Sequence, residues 1–589
     1  MRVTTLKATA AGVGGLLAYY AGLAEDRTRT GPSRGPVDYY LDPDEPAGRW
    51  WGKGRAGFGV DGEIEADQLR SVLEGRHPVS GSALGRAFGE ASARGFDATF
   101  SAPKSVSVLW ALTPDPWVRA EVLAAHDRAV DAALDWFEHH GAVSRRGRDG
   151  IHQVDTRGVA AALFRQHTSR TVDPQLHTHA VISSKVQDPT GRWLALDARF
   201  LKYQQRTIGW VYDAALRSEL THRLGVEWGD MTGGQAELTR IPTEVRDAFS
   251  QRSAQVAVER DRLLRAWADR HDGREPDRLT IARLERAAVL ASRPPKQHGL
   301  DAADLHGTWR TQAEALGMDI DGLSHPSLQA DLVCLTPPVD DVAIAKEALR
   351  RVAEESSTWL VADVARHIVT LLPPDAAPTA GALVERIDRI AALAAERCIE
   401  LSPERGGPTR QDGRPVLEHV TDRRLTTREV LGQEQRLQDW ARTYAERPRS
   451  APDRQAAAAE AIAGPCSLVI VVGPAGTGKT RTTALAVDAL HQQGRTVVGL
   501  APSGKAADVL RVEAGCPTDT LAGFLTRHRD RPSDSPWPVG TTVILDEAGM
   551  AATGDLAQLV ALARRNHWRL VAVGDPAQLP SVSRGGVFA

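Results

Sequence analysis

The chain has 589 residues, enough for three or four domains that each bury a core of their own. Hydrophobic residues make up 42% and charged residues 25%, which excludes collagen-like, mucin-like and coiled-coil chains, a mainly disordered chain and a multi-span membrane protein. With 72 Lys+Arg against 75 Asp+Glu the formal net charge is -3, so a nucleic-acid partner has to be held by a local basic surface rather than by bulk charge.

In chain order, the first feature is an apolar stretch over residues 8–24, preceded by Arg2 and Lys7. Gly12, Gly14, Gly15, Tyr19 and Tyr20 interrupt it, and it is too short and weak for a signal peptide or a bilayer span. No membrane insertion is expected. To about residue 300, short apolar runs of β character alternate with helical patterns, which predicts a compact α/β or α+β domain. Two of those runs, 159–167 and 176–182, read as strands of an antiparallel hairpin. The charge-rich stretch 259–270 reads as a solvated helix face.

Residues 301–450 are mostly helical in pattern, as at 359–372 and 382–398, with breaks at Pro373-Pro374 and Gly406-Gly407-Pro408. From 451 to 589 the pattern becomes one of buried strands each followed by a helix. The four cysteines, Cys334, Cys398, Cys466 and Cys516, form no C-x-x-C pair, so neither a disulfide framework nor a structural zinc site is expected, and a reducing cytoplasm fits.

Two patterns carry chemistry. His177 and His179 are two apart on a predicted strand, so both imidazoles face one side of the sheet, as a shared metal ion requires. The preceding strand of the hairpin can bring Gln166 or His167 beside them. Further on, Gly473-Pro-Ala-Gly476-Thr-Gly478-Lys479-Thr480 follows the apolar run 468–472 and precedes a helical pattern, the setting of a Walker A loop. Its glycines let backbone N–H groups wrap phosphates, Lys479 adds a cation near the β and γ phosphates, and Thr480 can ligate Mg2+. The run 542–545 ends in Asp546 and Glu547, suited to holding Mg2+ and polarising water. The run 570–573 leads to Gln578, positioned to sense a γ-phosphate.

The order and spacing of these C-terminal pieces resemble the first RecA-like domain of RecD-like superfamily 1 helicases. That resemblance makes Gln455 an adenine contact and residues 501–506 a DNA-contacting segment. It also implies a second RecA-like domain, whereas the chain stops nine residues after Pro580, so the expectation is ATP binding with Mg2+ without coupled strand separation.

The segments Phe164-Arg-Gln-His-Thr-Ser-Arg170 and Asp173-Pro-Gln-Leu-His-Thr-His179 resemble the metal-binding region of MobF-type conjugative relaxases, within the HUH endonuclease superfamily. Residues 95–105 and the paired tyrosines Tyr19-Tyr20 and Tyr39-Tyr40 are similar to further motifs of that family. The two resemblances together imply an α/β fold: a relaxase domain over 1–300 with an antiparallel sheet and flanking helices, a helical connection over 301–450, and a mainly parallel P-loop domain over 451–589.

The relaxase resemblance implies that Tyr19 attacks a scissile phosphate, leaving a 5'-phosphotyrosine and a free 3'-hydroxyl, that Tyr39 serves a second transfer, and that Asp97 takes the tyrosine proton or orients a metal-bound histidine. The family's third histidine position is Gln166 here, whose carbonyl oxygen suits a hard cation such as Mg2+ or Mn2+; His167 turned inward by a bulge is the alternative. Arg170 and Lys104 are expected to contact DNA, with Trp51 and Trp193 as candidate base-stacking rings. The implied partners are single-stranded DNA at a transfer origin, a coupling protein and a type IV secretion apparatus. Competing readings are a rolling-circle replication initiator and a decayed protein that holds single-stranded DNA without cutting it.

Overall fold

A computed structural model describes residues 1–7, 47–169, 171–271, 276–292, 302–323, 339–402, 406–410, 413–444, 453–474, 477–529, 537–575 and 584–585. The chain forms two compact units. Unit one comprises 1–345, 361–393 and 403–423, and unit two comprises 346–360, 394–402 and 424–589. Residues 301–450 are therefore divided between the units rather than forming a helical body of their own.

Unit one is built on a five-stranded antiparallel sheet. In chain order its strands include β1 (Arg2–Lys7), β2 (Arg49–Trp51) and β3 (Ala93–Ser101). A two-stranded ribbon, β4 (Val143–Arg146) with β5 (His152–Asp155), precedes β6 (Ala161–Thr168) and β7 (Pro174–Ser183); a second ribbon pairs β8 (Lys185–Gln187) with β9 (Trp193–Ala195). The sheet order β1-β3-β7-β6-β2 places β7 at the centre. Residues of opposite parity on β7 then bury against different layers.

On one face, Phe164 and Val181 join Leu6, Trp50, Phe58 and Leu69 in a core. The other face carries the helices Pro116–Gly141 and Gln205–Leu224, and Phe100 meets Tyr212 there at 5.5 Å between ring centroids. Asp115 caps the first of these helices by accepting from the Trp117 amide, with Pro116 preset for its first turn. The helix ends at Gly141, where an added Cβ would stand 2.3 Å from the Phe200 ring, so only glycine fits. Later chain completes this layer: Arg217 donates to the Val369 carbonyl, and the Ala380 amide donates to Glu219.

In unit two, β10 (Ile399–Glu400) pairs with β11 (Leu425–Thr426). The main sheet contains β12 (Leu468–Val472), β13 (Val497–Ala501), β14 (Thr518–Thr520), β15 (Thr542–Leu545) and β16 (Arg569–Gly574), all parallel, in the order β12-β16-β15-β13-β14. Strands β13, β15 and β16 are buried throughout, as near-continuous Val/Ile/Leu runs between helices require. Val487, Leu490 and Leu510 cover one face of the sheet, while Leu437, Phe524 and Leu559 pack with Leu545 and Leu570 in a separate core. Among the described residues, no helix is long and apolar enough to cross a membrane. Cys398, Cys466 and Cys516 are free thiols, and Cys334 lies outside the described residues.

Candidate metal and nucleotide sites

Strand register assembles the first site. On β7, His179 stands opposite Thr99 of β3 and Phe164 of β6, while His177 stands opposite Ser101 and Gln166. Because directly paired residues share a face, Gln166, His177 and His179 lie on one side of the sheet with Asp97. All four are buried.

Hydrogen bonds at Nδ1 assign the tautomers of both histidines. The His179 Nδ1–H donates to both carboxylate oxygens of Asp97 at 3.0 Å, with Thr99 Oγ1 3.4 Å from the same nitrogen. The His177 Nδ1–H donates to the Gln175 carbonyl at 2.8 Å. Each ring is thereby oriented with Nε2 as its lone-pair nitrogen, the usual second partner arrangement behind a metal-binding imidazole. The ring centroids are 5.3 Å apart. Burial and the neighbouring His179 push the His177 imidazole down to about 4, so it is neutral and able to coordinate at neutral pH.

The amide end of Gln166 tests the fit of a cation. Its Nε2 is buried with no hydrogen-bond partner among the described residues. Amide nitrogen and oxygen are interchangeable by a half-turn, so the same position can present a carbonyl oxygen. An orphaned buried amide beside two lone-pair imidazoles suits a divalent cation.

His167 takes a different course. The β6–β7 register shifts between Gln166 and Thr168, and the His167 ring stacks on Trp110 at 4.6 Å, next to His306 and Trp309. Burial, with Arg165 nearby, pushes its imidazole down to about 3. Behind the site, fully buried His126 bridges Thr178, which lies between the two site histidines, and the Tyr212 hydroxyl, both at 2.8 Å. Sequence reasoning missed this triad, and its signal was weak: a lone histidine on an apolar helix face.

Lys104 donates to the Pro174 carbonyl at 2.7 Å at the start of β7, and burial pushes its ammonium down to about 8 against the pull of Asp173 and Glu237. Trp51 is buried in β2. Trp193 packs edge-on against Phe58 and lines a cleft of about 1500 Å³ with Arg86, Arg145, Arg146, Lys185 and Arg192. Tyr19, Tyr20, Tyr39, Tyr40 and Arg170 lie outside the described residues.

The second site lies at the end of β12. Gly478 adopts φ 79° as the N-cap of the helix Lys479–Gln492. A Cβ there would also meet Gln455 Nε2 at 2.8 Å, and that amide donates to the Thr477 carbonyl. Lys479 Nζ donates to the carbonyls of Gly473 at 2.7 Å and Pro474 at 3.2 Å, so the loop's own backbone occupies the ammonium. Thr480 follows in the first turn of the helix.

Asp546, at the end of β15, is pushed up by burial against the pull of Lys479, and its carboxylate accepts from the Glu547 amide. Glu547 has φ 50°, an uncommon left-handed conformation that re-aims the chain directly after β15. Burial and the Asp546 charge push its carboxyl up as well. Ser503 caps the helix Gly504–Ala514, accepting from the Ala506 amide. Gly476 and Gln578 lie outside the described residues.

Comparison with known proteins bears on the two regions as a whole. A family model described as TrwC relaxase matches residues 14–316, and one described as AAA domain matches residues 450–589. The multifunctional conjugation protein TraI of Escherichia coli (strain K12) is 30% identical over 546 residues, covering 87% of this chain. That match spans only 28% of TraI. The conjugal transfer protein TraA of Rhizobium radiobacter is 42% identical over 139 residues, 23% of this chain and 12% of TraA. The metal-bound structure of the conjugative relaxase TrwC in complex with oriT DNA is 31% identical, covers 54% of this chain and 100% of that one, and has a TM-score of 0.43. The relaxase match takes in just over half of the chain, and the chain therefore belongs to the TrwC relaxase family, with an AAA domain following the relaxase region.

Proposed function

We propose that this protein nicks one DNA strand at a conjugative transfer origin, remains attached to it and later rejoins it, with residues 1–300 carrying the reaction and residues 451–589 binding ATP with Mg2+. The observation that carries this reading is the Asp97–His179 hydrogen bond beside His177 and the orphaned amide of Gln166, all on one face of the central strands.

In the reaction, the Tyr19 oxygen attacks the scissile phosphorus and the bond to the 3'-oxygen breaks. The products are a 5'-phosphotyrosine and a 3'-hydroxyl, so the phosphodiester energy is kept for religation. Tyr39 takes the second transfer. Gln166, His177 and His179 hold Mg2+ or Mn2+, which when bound polarises the phosphate oxygens and offsets charge in the transition state. Asp97 fixes the tautomer and direction of His179. Lys104 and Arg170 contact phosphates, and the arginine-lined cleft with Trp193 supplies a local basic surface that a near-neutral chain needs.

The partners proposed are single-stranded origin DNA, a coupling protein and a type IV secretion apparatus, met in the cytoplasm. TraI and TrwC are a conjugation protein and a relaxase seen with oriT DNA, which supports this choice.

The test is a denaturing gel with labelled single-stranded origin DNA in Mg2+, Mn2+ or EDTA. A covalent protein–DNA band that needs metal and is lost in Tyr19→Phe is expected. Binding without any such band, on a verified origin, would replace this reading with that of a protein that holds DNA without cutting it.

A further inference from the structure

We infer that His139, His140 and Asp388 form a second divalent-cation site, separate from the His177/His179 site, that takes a borderline transition ion such as Zn2+ and ties two helices of unit one together. Among the described residues they are the only group of three His, Cys, Asp or Glu side chains whose ligand atoms converge, all lying within 4.8 Å of one another.

His139 and His140 end the helix Pro116–Gly141, and Asp388 comes from the helix Ala380–Ala395. The site is separate from the first: it lies roughly 20 Å along the helix from His126, which backs His177 and His179 through Thr178, at 1.5 Å per residue. None of its residues serves the reaction proposed above.

Its ligand chemistry is already oriented. Asp388 Oδ1 accepts from Trp136 Nε1 at 3.0 Å and pairs with His140 Nε2 at 2.9 Å. The Trp136 contact fixes the carboxylate, the way an outer hydrogen bond aims a metal ligand, and the His140 contact holds two of the three ligand groups side by side. The Trp136 ring lies 4.7 Å from His140, and the His139 and His140 rings meet edge-on at 4.8 Å. The two site side chains His140 and Asp388 are about one-third exposed, and His139 is exposed, so an ion can enter and leave water in the remaining position.

Two imidazoles and one carboxylate suit Zn2+, Ni2+ or Co2+ rather than Mg2+. Bonds of about 2.1 Å in a tetrahedron bring ligand atoms to roughly 3.4 Å apart, so the widest pair has to close by no more than about 1.4 Å, a small χ rotation for rings at the surface. The opposing charge is Lys53, and Glu138 already faces it at 3.8 Å.

The experiment strips the full-length protein of metal, titrates it with Zn2+ alone by calorimetry and follows thermal unfolding in parallel. Wild type is expected to bind two equivalents. His139→Ala and Asp388→Asn each lose one and keep the other, with at least about tenfold weaker binding of the lost ion. His177→Ala shows the converse loss. Zn2+ should raise the unfolding temperature of His177→Ala and leave that of the double variant His139→Ala/His177→Ala unchanged. The inference is overturned if His139→Ala, an exposed position whose change disturbs no core, binds the same number of ions with the same affinity as wild type. The gel assay of the proposed function, run on wild type from the same preparation, keeps the two apart: absence of a covalent band would overturn that function and leave the Zn2+ result standing.

Discussion

The two sites of this protein are built by opposite means. At the sheet of unit one, side chains carry the chemistry, and strand register decides which of them meet: Gln166 faces His177 only because β6 and β7 pair as they do. A one-residue slip of β7 would turn both histidines to the helical layer and abolish the site. At the end of β12, by contrast, the backbone carries the chemistry. Gly478 at φ 79° and Glu547 at φ 50° aim amides and carboxylates, and Lys479 is parked on the loop's own carbonyls. The first candidate site is thus preformed and buried, while the second would have to exchange internal contacts for those of a nucleotide. Preorganised side chains tolerate little substitution, whereas a backbone cradle depends first on its glycines and on the few side chains, Lys479 above all, that reach into it.

The sharpest way to break this comparison is a reciprocal pair. His179→Ala should lower metal-dependent nicking by more than about a hundredfold, beyond the 10- to 100-fold cost of losing an outer partner, and leave nucleotide binding unchanged. Lys479→Ala should abolish nucleotide binding, read by fluorescent nucleotide titration, while nicking of a single-stranded origin stays within about twofold. Crossed effects would show that the two sites depend on each other.

Next comes the identity of the third ligand. Gln166→His should tighten Zn2+ or Ni2+ binding at the sheet by about tenfold or more relative to Mg2+, because imidazole suits those ions better than an amide oxygen. An unchanged preference would remove Gln166 from the ligand set.

Acid should act on the buried histidines of unit one. Burial holds His177 at about 4, His167 at about 3 and His126 well below its ordinary value of 6.5. Below pH 6.5 the unfolded chain binds protons that the folded one refuses, so stability is complete above that pH and falls as pH drops toward 4. The slope is up to about 1.4 kcal/mol per pH unit for each histidine. Thermal melts of metal-free protein between pH 7.5 and 4.5 read this loss, and a flat profile would contradict it.

The smallest effect belongs to Thr178→Val, which leaves His126 Nε2 without its 2.8 Å partner. About 1–3 kcal/mol of unfolding free energy should be lost by denaturant titration, with nicking changed less than about tenfold.

How much of this was legible depends on the range of the signal. The strand–loop–helix at residues 468–492 is local, and the observed β12 and the helix from Lys479 begin where the motif places them. The H-x-H spacing gave the shared face of His177 and His179 by alternation alone. Asp97, by contrast, reaches His179 across a strand pairing that joins residues 82 apart, and only the family resemblance singled it out. The Thr178–His126–Tyr212 triad joins three elements and left no periodic trace. The middle region misled for the same reason: its helical periodicity shows in sequence, but the attachment of 361–393 and 403–423 to unit one rests on contacts such as Arg217 with Val369, 152 residues apart.

That attachment has a consequence for how the protein is made. Every strand of the sheet that carries the candidate metal site has been synthesised by Ser183, so the register that joins Gln166, His177 and Asp97 can be set early, once that segment emerges. The last segment of unit one, 403–423, emerges only after stretches belonging to unit two have been synthesised. At ordinary elongation rates of roughly 5–20 residues per second, the nascent chain spends on the order of tens of seconds with Arg217 and Glu219 waiting for the backbone that will receive them. Through that interval a chaperone would meet an assembled metal-site face and an uncovered helical back.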